Sequence, residues 1–146
     1  MGKISVDTTI NATPEAVFAY VADVATHPEW GQHQNVATKR GREEVGVGTI
    51  YDTINHQFGE QKETVTITDY SPGKVFGFDA SGVLGVAHHS FEIEPAGSGT
   101  KLTKTMQITK PKFLARLSAP MIAMQQPKAL REDLRRIKAK LEGAPA

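Results

Sequence analysis

The chain has 146 residues, 39% of them hydrophobic and 23% charged, so one globular domain with its own apolar core is expected. It contains no cysteine, which excludes disulfides, thiol nucleophiles and thiolate metal sites. The 17 basic and 16 acidic residues give a formal net charge of +1, and this balance predicts no nucleic-acid partner. Because no apolar run has the length of a signal peptide or a membrane span, a cytoplasmic protein without integral membrane association is predicted.

A strand followed by a helix opens the chain. Residues 3–10 (KISVDTTI) alternate between apolar and polar side chains, which is typical of a half-buried strand. Thr13 is a suitable N-cap for a helix that begins at Pro14, and an apolar stripe at helical spacing follows. His27 is predicted to end this helix, because a residue that precedes a proline (here Pro28) disfavours helical geometry.

Residues 34–108 have the pattern of strands separated by short turns. The turns are too short to contain helices, so consecutive strands are predicted to pair as an antiparallel meander of about six strands. With the first strand, this predicts a seven-stranded antiparallel sheet.

A long helix is predicted at the C-terminus, where aliphatic residues recur at helical spacing and form one core-facing stripe. The residues of that stripe are Leu130, Leu134, Ile137 and Leu141. Pro120 and Pro127 interrupt the apolar segment before it, which predicts a helix that enters in pieces or with kinks. The basic residues near the end alternate with acidic ones, so a solvated helix face is favoured over a patch for an anionic partner.

One helix is too narrow to fill the concave face of a large twisted sheet. The sheet must therefore curl around the helix or leave a space between them. Apolar spaces lined by a few polar groups are the usual form of small-molecule sites in proteins.

Several segments in this order resemble one known family. They are INATPEAVFAYVADVATHPEW, GVGTIYDT, VTITDYSPGKVFGF, FEIEPAGSGTKLT and LREDLRRIKAKLEG. Across nearly its whole length the chain resembles the START-like, or helix-grip, superfamily (SRPBCC), and within it the bacterial polyketide cyclase/dehydrase-like branch. The resemblance implies an α+β helix-grip fold, in which a curved seven-stranded antiparallel sheet surrounds a long C-terminal helix and short helices lie between strands 1 and 2. It also implies that residues 1–146 form a single ligand-binding domain with its cavity between sheet and helix.

Two adjacent histidines, His88 and His89, lie in a predicted strand, where successive side chains face opposite sides of the sheet. Phe91 and Ile93 are the apolar members of this strand, so His89 is predicted to share their concave face and His88 to face solvent. An inward His89 has three interpretations: a hydrogen-bonded core residue, a polar contact for a ligand, or an acid–base group. The five histidines show no spacing of metal ligands, and no metal site is predicted.

Two further polar residues are candidates for the concave face. Lys104 is in phase with apolar neighbours on its strand, and because a lone buried lysine is costly, its ammonium either reaches water at the cavity mouth, the favoured interpretation, or meets an acidic group or a ligand carboxylate. Alternation in residues 50–55 places inward either Asp52, together with Ile50 and Ile54, or the set Tyr51, Thr53 and Asn55, and the pattern permits both. An inward Asp52 near His89 or Lys104 would supply an acid–base group.

The predicted function is binding or transport of a small hydrophobic ligand such as a lipid, an isoprenoid or an aromatic polyketide. One alternative is a polyketide cyclase/dehydratase that uses His89 with Asp52 or Lys104. Another is a protein-interaction regulator of the toxin–antitoxin or chaperone-cofactor type, for which no exposed apolar stripe is visible in the sequence. No cofactor is predicted, and the chain is expected to be a monomer or a homodimer. The predicted ligand-binding residues, several of which have core packing as the simpler interpretation, are Phe76, Phe78, His89, Phe91, Lys104, Met106, Met121 and Met124.

Overall fold

A computed structural model, which describes residues 2–31, 34–56 and 59–143, contains seven strands and a long C-terminal helix. The strands are β1 (Ile4–Ile10), β2 (Gln34–Lys39), β3 (Ile50–Asn55), β4 (Gln61–Ser71), β5 (Val75–Gly82), β6 (Gly85–Ala96) and β7 (Gly99–Pro111). The helices are α1 (Pro14–Val21), a 3-10 turn (Val24–Thr26), α2 (His27–Trp30), α3 (Phe113–Leu117) and α4 (Ala119–Glu142).

The strands form one curved antiparallel sheet in the order β1-β7-β6-β5-β4-β3-β2. Strands β2 to β7 are a meander, as predicted, and β1 pairs with the outer edge of β7, with Ile4 opposite Met106. The predicted α+β helix-grip architecture is confirmed. Its curvature leaves a concave face that α1, α2 and α4 cover.

The helix after β1 ends earlier than the proline rule predicts. Thr13 caps it, accepting a hydrogen bond from the Ala16 N–H at 3.1 Å, and the helix stops at Val21. The prediction that His27 ends a helix is wrong, because His27 instead begins α2 and Pro28 lies in its first turn. A proline is tolerated there, since the N–H groups of a first helical turn have no partner within the helix.

Helix α4 runs for 24 residues without a break at Pro127, so the predicted interruption occurs only at Ser118, between α3 and α4. Pro127 has no N–H, so the Ala123 carbonyl lacks its hydrogen-bond donor within the helix. Because Ala123 is exposed, water can donate to this carbonyl instead. The stripe predicted for this helix is present, since Leu130, Leu134 and Ile137 are buried.

Helix α4 lies against one edge of the sheet and away from its centre. Among the strands it packs most closely on β1. The Lys138 ammonium donates to the Thr9 carbonyl, and the Glu142 carboxylate accepts from the Asn11 N–H at 2.8 Å. These contacts fix the C-terminal half of α4, while residues 124–133 in the middle of the helix face an open space above β3–β6. None of the helices within the described ranges is long and apolar enough to cross a lipid bilayer.

Candidate functional site

A cavity of about 630 Å³, partly open to solvent, lies between the concave face of the sheet and the middle of α4. Its apolar wall includes Val65, Phe78 and Ala80 from the sheet and Leu130 from the helix. Trp30 of α2 closes one side. The cavity is the space that one helix leaves over a curved sheet, and it lies where the sequence predicts it.

Aromatic rings form much of the inner wall. Phe78 and His89 are cross-strand partners whose rings stack in parallel, with centroids 4.9 Å apart and an interplanar angle of 11°. His27 packs against both Phe78, at 5.4 Å, and Trp30, at 4.7 Å between ring centroids. Trp30 therefore both packs against His27 and forms part of the cavity lining.

His89 faces the cavity, and His88 lies on the opposite face of the sheet, where its Nδ1 bonds Asp79 at 2.8 Å. A β-bulge between Val86 and Ala87 precedes both histidines and so leaves the predicted alternation intact. Burial, and then the nearby Lys104 charge, hold the pKa of His89 well below its usual value, so the ring is neutral at physiological pH. Its Nδ1 is buried without a hydrogen-bond partner in the part of the chain that the structure describes.

Lys104 lies at the inner end of the cavity, and its ammonium is 3.2 Å from the Asp133 carboxylate of α4. The two side chains are only 3% and 13% exposed. The ammonium also lies over the rings of Trp30, at 4.6 Å, and Phe91, at 5.2 Å. The favoured prediction, an ammonium in water at the cavity mouth, is therefore wrong. The second interpretation, a meeting with an acidic group, is correct, because α4 places Asp133 directly opposite β7.

Burial disfavours the charged form of Lys104. Burial lowers the pKa of Lys104, and the attraction of Asp133 opposes that shift. A cation over two aromatic faces and beside one carboxylate is held in place from three directions. The geometry therefore fixes α4 relative to the sheet at the closed end of the cavity.

Asp52 lies on the convex face, away from the cavity. Arg40 binds its carboxylate in bidentate fashion, with N–O distances of 2.8 and 2.6 Å, and both side chains are more than half exposed. Tyr51 and Thr53 are buried instead, and Tyr51 pairs with Val65 of β4, which shares its concave face. The predicted acid–base group formed by Asp52 with His89 or Lys104 is therefore wrong.

The remaining predicted ligand-binding residues separate into core and surface. Phe76, Phe91 and Met106 are buried in the core behind the cavity wall and do not line it. Met124 borders the cavity, whereas Met121 is exposed and lies outside the lining. The prediction that Met121 contacts the ligand is therefore wrong, because the turn of α4 directs Ile122 inward in its place.

Glu63 and His27 are among the cavity residues that were not predicted. Glu63 of β4 borders the cavity beside Asn55; burial raises its pKa, and a hydrogen bond from Asn55 opposes the shift. The alternation of the sequence could have predicted this position, since Glu63 is in phase with the buried Val65. His27 is fully buried and its Nε2 bonds the Val21 carbonyl at 2.9 Å. The sequence could not have predicted the buried position of His27, because the HPEW segment has the pattern of a loop.

The fold is shared with solved structures of low sequence identity. The crystal structure of TTHA0849 from Thermus thermophilus has a TM-score of 0.78 at 13% identity, covering 99% of this chain and 100% of that chain. The di-domain ARO/CYC StfQ from the steffimycin biosynthetic pathway has a TM-score of 0.76 at 14% identity, covering 97% of this chain and 50% of that chain. The solution structure of the Aha1 dimer from Colwellia psychrerythraea has a TM-score of 0.69 at 16% identity, covering 100% of both chains.

Comparison with curated proteins gives no significant match. A family model described as "Polyketide cyclase / dehydrase and lipid transport" matches residues 1–142. This match covers every strand and helix of the fold, together with the cavity between sheet and α4. The chain therefore belongs to the polyketide cyclase/dehydrase and lipid transport family.

Proposed function

We propose that this protein binds a small, largely apolar molecule in the cavity between the sheet and α4. The observation that carries the proposal is a space of about 630 Å³ lined by Phe78, Trp30 and aliphatic side chains. This volume lies within the usual range of roughly 300–1,000 Å³ for small-molecule sites. Family membership supports the same class of ligand, since the family includes lipid transport in its description.

The polar groups of the cavity favour a ligand that carries oxygen atoms. His89 and Glu63 border the apolar wall, and the Lys104–Asp133 pair borders its inner end. Such groups orient a ligand and discriminate between ligands of similar shape. Among lipids, isoprenoids and aromatic polyketides, a ring-bearing molecule with carbonyl or hydroxyl groups matches the aromatic wall and the polar groups better than a saturated chain does.

Two of the three residues that the enzyme alternative requires are not available for proton transfer in the cavity. Asp52 is on the convex face, and the ammonium of Lys104 is engaged with Asp133. His89 remains, but a neutral imidazole with a strongly lowered pKa is a weak base. Binding uses the cavity as the structure describes it and requires none of these proton transfers.

The single tryptophan of the chain makes the proposal directly testable, because Trp30 borders the cavity. Its fluorescence would be followed while anthraquinones, isoprenoid quinones and fatty acids are added in turn, with native mass spectrometry to establish stoichiometry. We expect saturable binding of one molecule from the ring-bearing classes. Replacement Ala80→Phe fills the cavity and should weaken binding by about tenfold or more, which corresponds to about 1.4 kcal/mol.

The matched control is Ser81→Phe, which adds the same side chain at the next residue of β5, on the exposed face. It should bind ligand like the wild type. If Ala80→Phe and the wild type bind with equal affinity, the ligand lies elsewhere. If no compound of the three classes binds, the proposed function is wrong.

A further inference from the structure

Large apolar side chains are concentrated on one exposed surface at the start of the C-terminal helices. We call this surface the apolar patch; its residues are Phe113, Leu114, Leu117, Met121 and Met124. Phe113, Leu117 and Met124 are 78%, 69% and 77% exposed. Within the described ranges only Val36 and Val47 are other large hydrophobic side chains with comparable exposure, and both lie in another part of the chain.

The patch follows from how α3 and the first turns of α4 face the sheet. Only Ala115 and Ile122 of this segment are buried, so the remaining apolar side chains point outward. The expectation that no apolar stripe is exposed is therefore wrong. Single exposed hydrophobic residues are ordinary, whereas a cluster of five within 12 residues is typical of a surface that contacts another apolar phase.

The charged residues along the segment that carries the apolar patch have one sign. Residues 95–131 contain seven of the 17 basic residues and none of the 16 acidic ones. The rest of the chain contains ten basic and 16 acidic residues. The formal charge is therefore +7 on this segment and −6 on the rest of the chain. Five of the seven are exposed and precede, interrupt or follow the patch along the chain: Lys110, Lys112, Arg116, Lys128 and Arg131.

The apolar patch is continuous with the cavity. Met124 belongs to the patch and also borders the cavity, and Lys128, one helical turn later, borders it too. A molecule that left an apolar phase beside the patch would reach the cavity without crossing bulk water. A docking surface at this place therefore suits a protein whose ligand dissolves poorly in water.

We propose that the apolar patch docks on the surface of an anionic lipid bilayer. The apolar side chains enter the boundary between headgroups and acyl chains, and the surrounding lysines and arginines contact the lipid phosphates. A second copy of the chain fits less well, because a two-fold interface would place the five cations against themselves. The bilayer supplies the apolar layer and the negative charge together.

The test is co-sedimentation of the full chain with vesicles of phosphatidylcholine alone, or of phosphatidylcholine mixed with phosphatidylglycerol. We expect binding to the mixed vesicles, with loss of that binding at high salt. Replacement of Lys112 and Arg116 by Glu should reduce partitioning by more than about tenfold, since each cation near an anionic surface contributes about fivefold. Phe113→Ser with Leu117→Ser should also abolish binding.

Matched controls separate the apolar patch from general charge and hydrophobicity. Val47→Ser removes an equally exposed apolar side chain elsewhere, and Lys62→Glu with Lys74→Glu makes the same change in net charge on exposed positions outside the segment. Both should bind mixed vesicles like the wild type. All replaced residues are exposed, and thermal unfolding of each variant will show that it is folded.

Three results would overturn the proposal: equal binding to both kinds of vesicle, equal losses in the patch and control variants, or no vesicle binding at all. A concentration-dependent dimer that Phe113→Ser disrupts would assign the patch to self-association instead. Ala80→Phe should dock on mixed vesicles like the wild type. Failure of docking would thus be distinguishable from failure of ligand binding, which Trp30 reports separately.

Discussion

At the scale of single residues, the ion pair between Lys104 and Asp133 has the largest expected energetic effect. Removing one partner of a buried pair leaves the other charge without compensation, at a cost of about 3–5 kcal/mol, whereas replacing both by apolar side chains is often close to neutral. Lys104 is 3% exposed, so little solvent screening reduces this cost. The pair should therefore behave very differently in single and double variants.

We expect Lys104→Met to lower the free energy of unfolding by about 3 kcal/mol. The double variant Lys104→Met with Asp133→Leu should recover at least about half of that loss, because no charge is then left buried. Urea denaturation measures both. Lys101→Met on the same strand is the control, since its pairing with Glu94 is on the surface and its loss should have little effect. Equal losses in Lys101→Met and Lys104→Met would contradict the prediction.

The buried His27 should make stability depend on pH. Burial lowers its pKa from 6.5 to about 3, and the hydrogen bond to Val21 only partly opposes this. Below about pH 6.5 the unfolded chain takes up a proton and the folded chain does not, so the free energy of unfolding falls as the pH falls toward 3. Each buried imidazole contributes up to about 1.4 kcal/mol per pH unit in this window.

His27→Gln should flatten the dependence by about that slope, measured by urea denaturation at several pH values between about 4 and 6.5. The comparison variant is His56→Gln, since His56 is exposed and its replacement removes an imidazole without opening the core. A profile for His27→Gln that parallels the wild type throughout this window would refute the assignment of His27 as a buried neutral ring.

At the scale of elements, the start of β6 depends on one glycine. Gly85 has a φ of +108°, and a Cβ placed on it would overlap the Lys110 carbonyl and approach the Lys112 nitrogen to 2.9 Å. The backbones of β6 and the end of β7 are therefore closer than any side chain permits. Since β6 carries His89, the position of this strand start also sets the position of the cavity wall.

Gly85→Ala should destabilise the fold much more than Gly97→Ala. Gly97 also has a positive φ, of +58°, but open space where a Cβ would lie, so it carries only the conformational cost of about 1–2 kcal/mol. The difference between the two variants in thermal unfolding isolates the overlap with β7. Equal changes in midpoint would show that the strands can separate at no cost.

At the scale of the whole molecule, the architecture was predictable from local patterns. Alternation, turn residues and helical spacing are local signals, and they correctly predict the meander, the C-terminal helix and the inward side of His89 and Lys104. The residues that meet at the site were less predictable. Asp133 opposes Lys104 only because α4 lies at one particular angle over β7, and no local pattern contains that angle.

The choice between the two faces of β3 shows the same limit. The alternation of its residues is compatible with either face being inward. Tyr51 faces inward because it pairs with Val65, and Asp52 faces outward, where it forms an exposed ion pair with Arg40. The exposed apolar patch is a further case. Its sequence is as apolar as a core segment, and only the orientation of α3 and the first turns of α4 separates the buried Ala115 and Ile122 from their outward neighbours.

The pairing of β1 with β7 has a consequence for the order in which the chain folds. Residue Ile4 lies opposite Met106, and among the strands of the described ranges β7 alone lies beside β1. During synthesis the first strand therefore leaves the ribosome about 100 residues before its partner, while the meander from β2 onward can pair as it emerges. Strand β1 is therefore enclosed after the meander, and until then it presents both of its hydrogen-bonding edges to its surroundings.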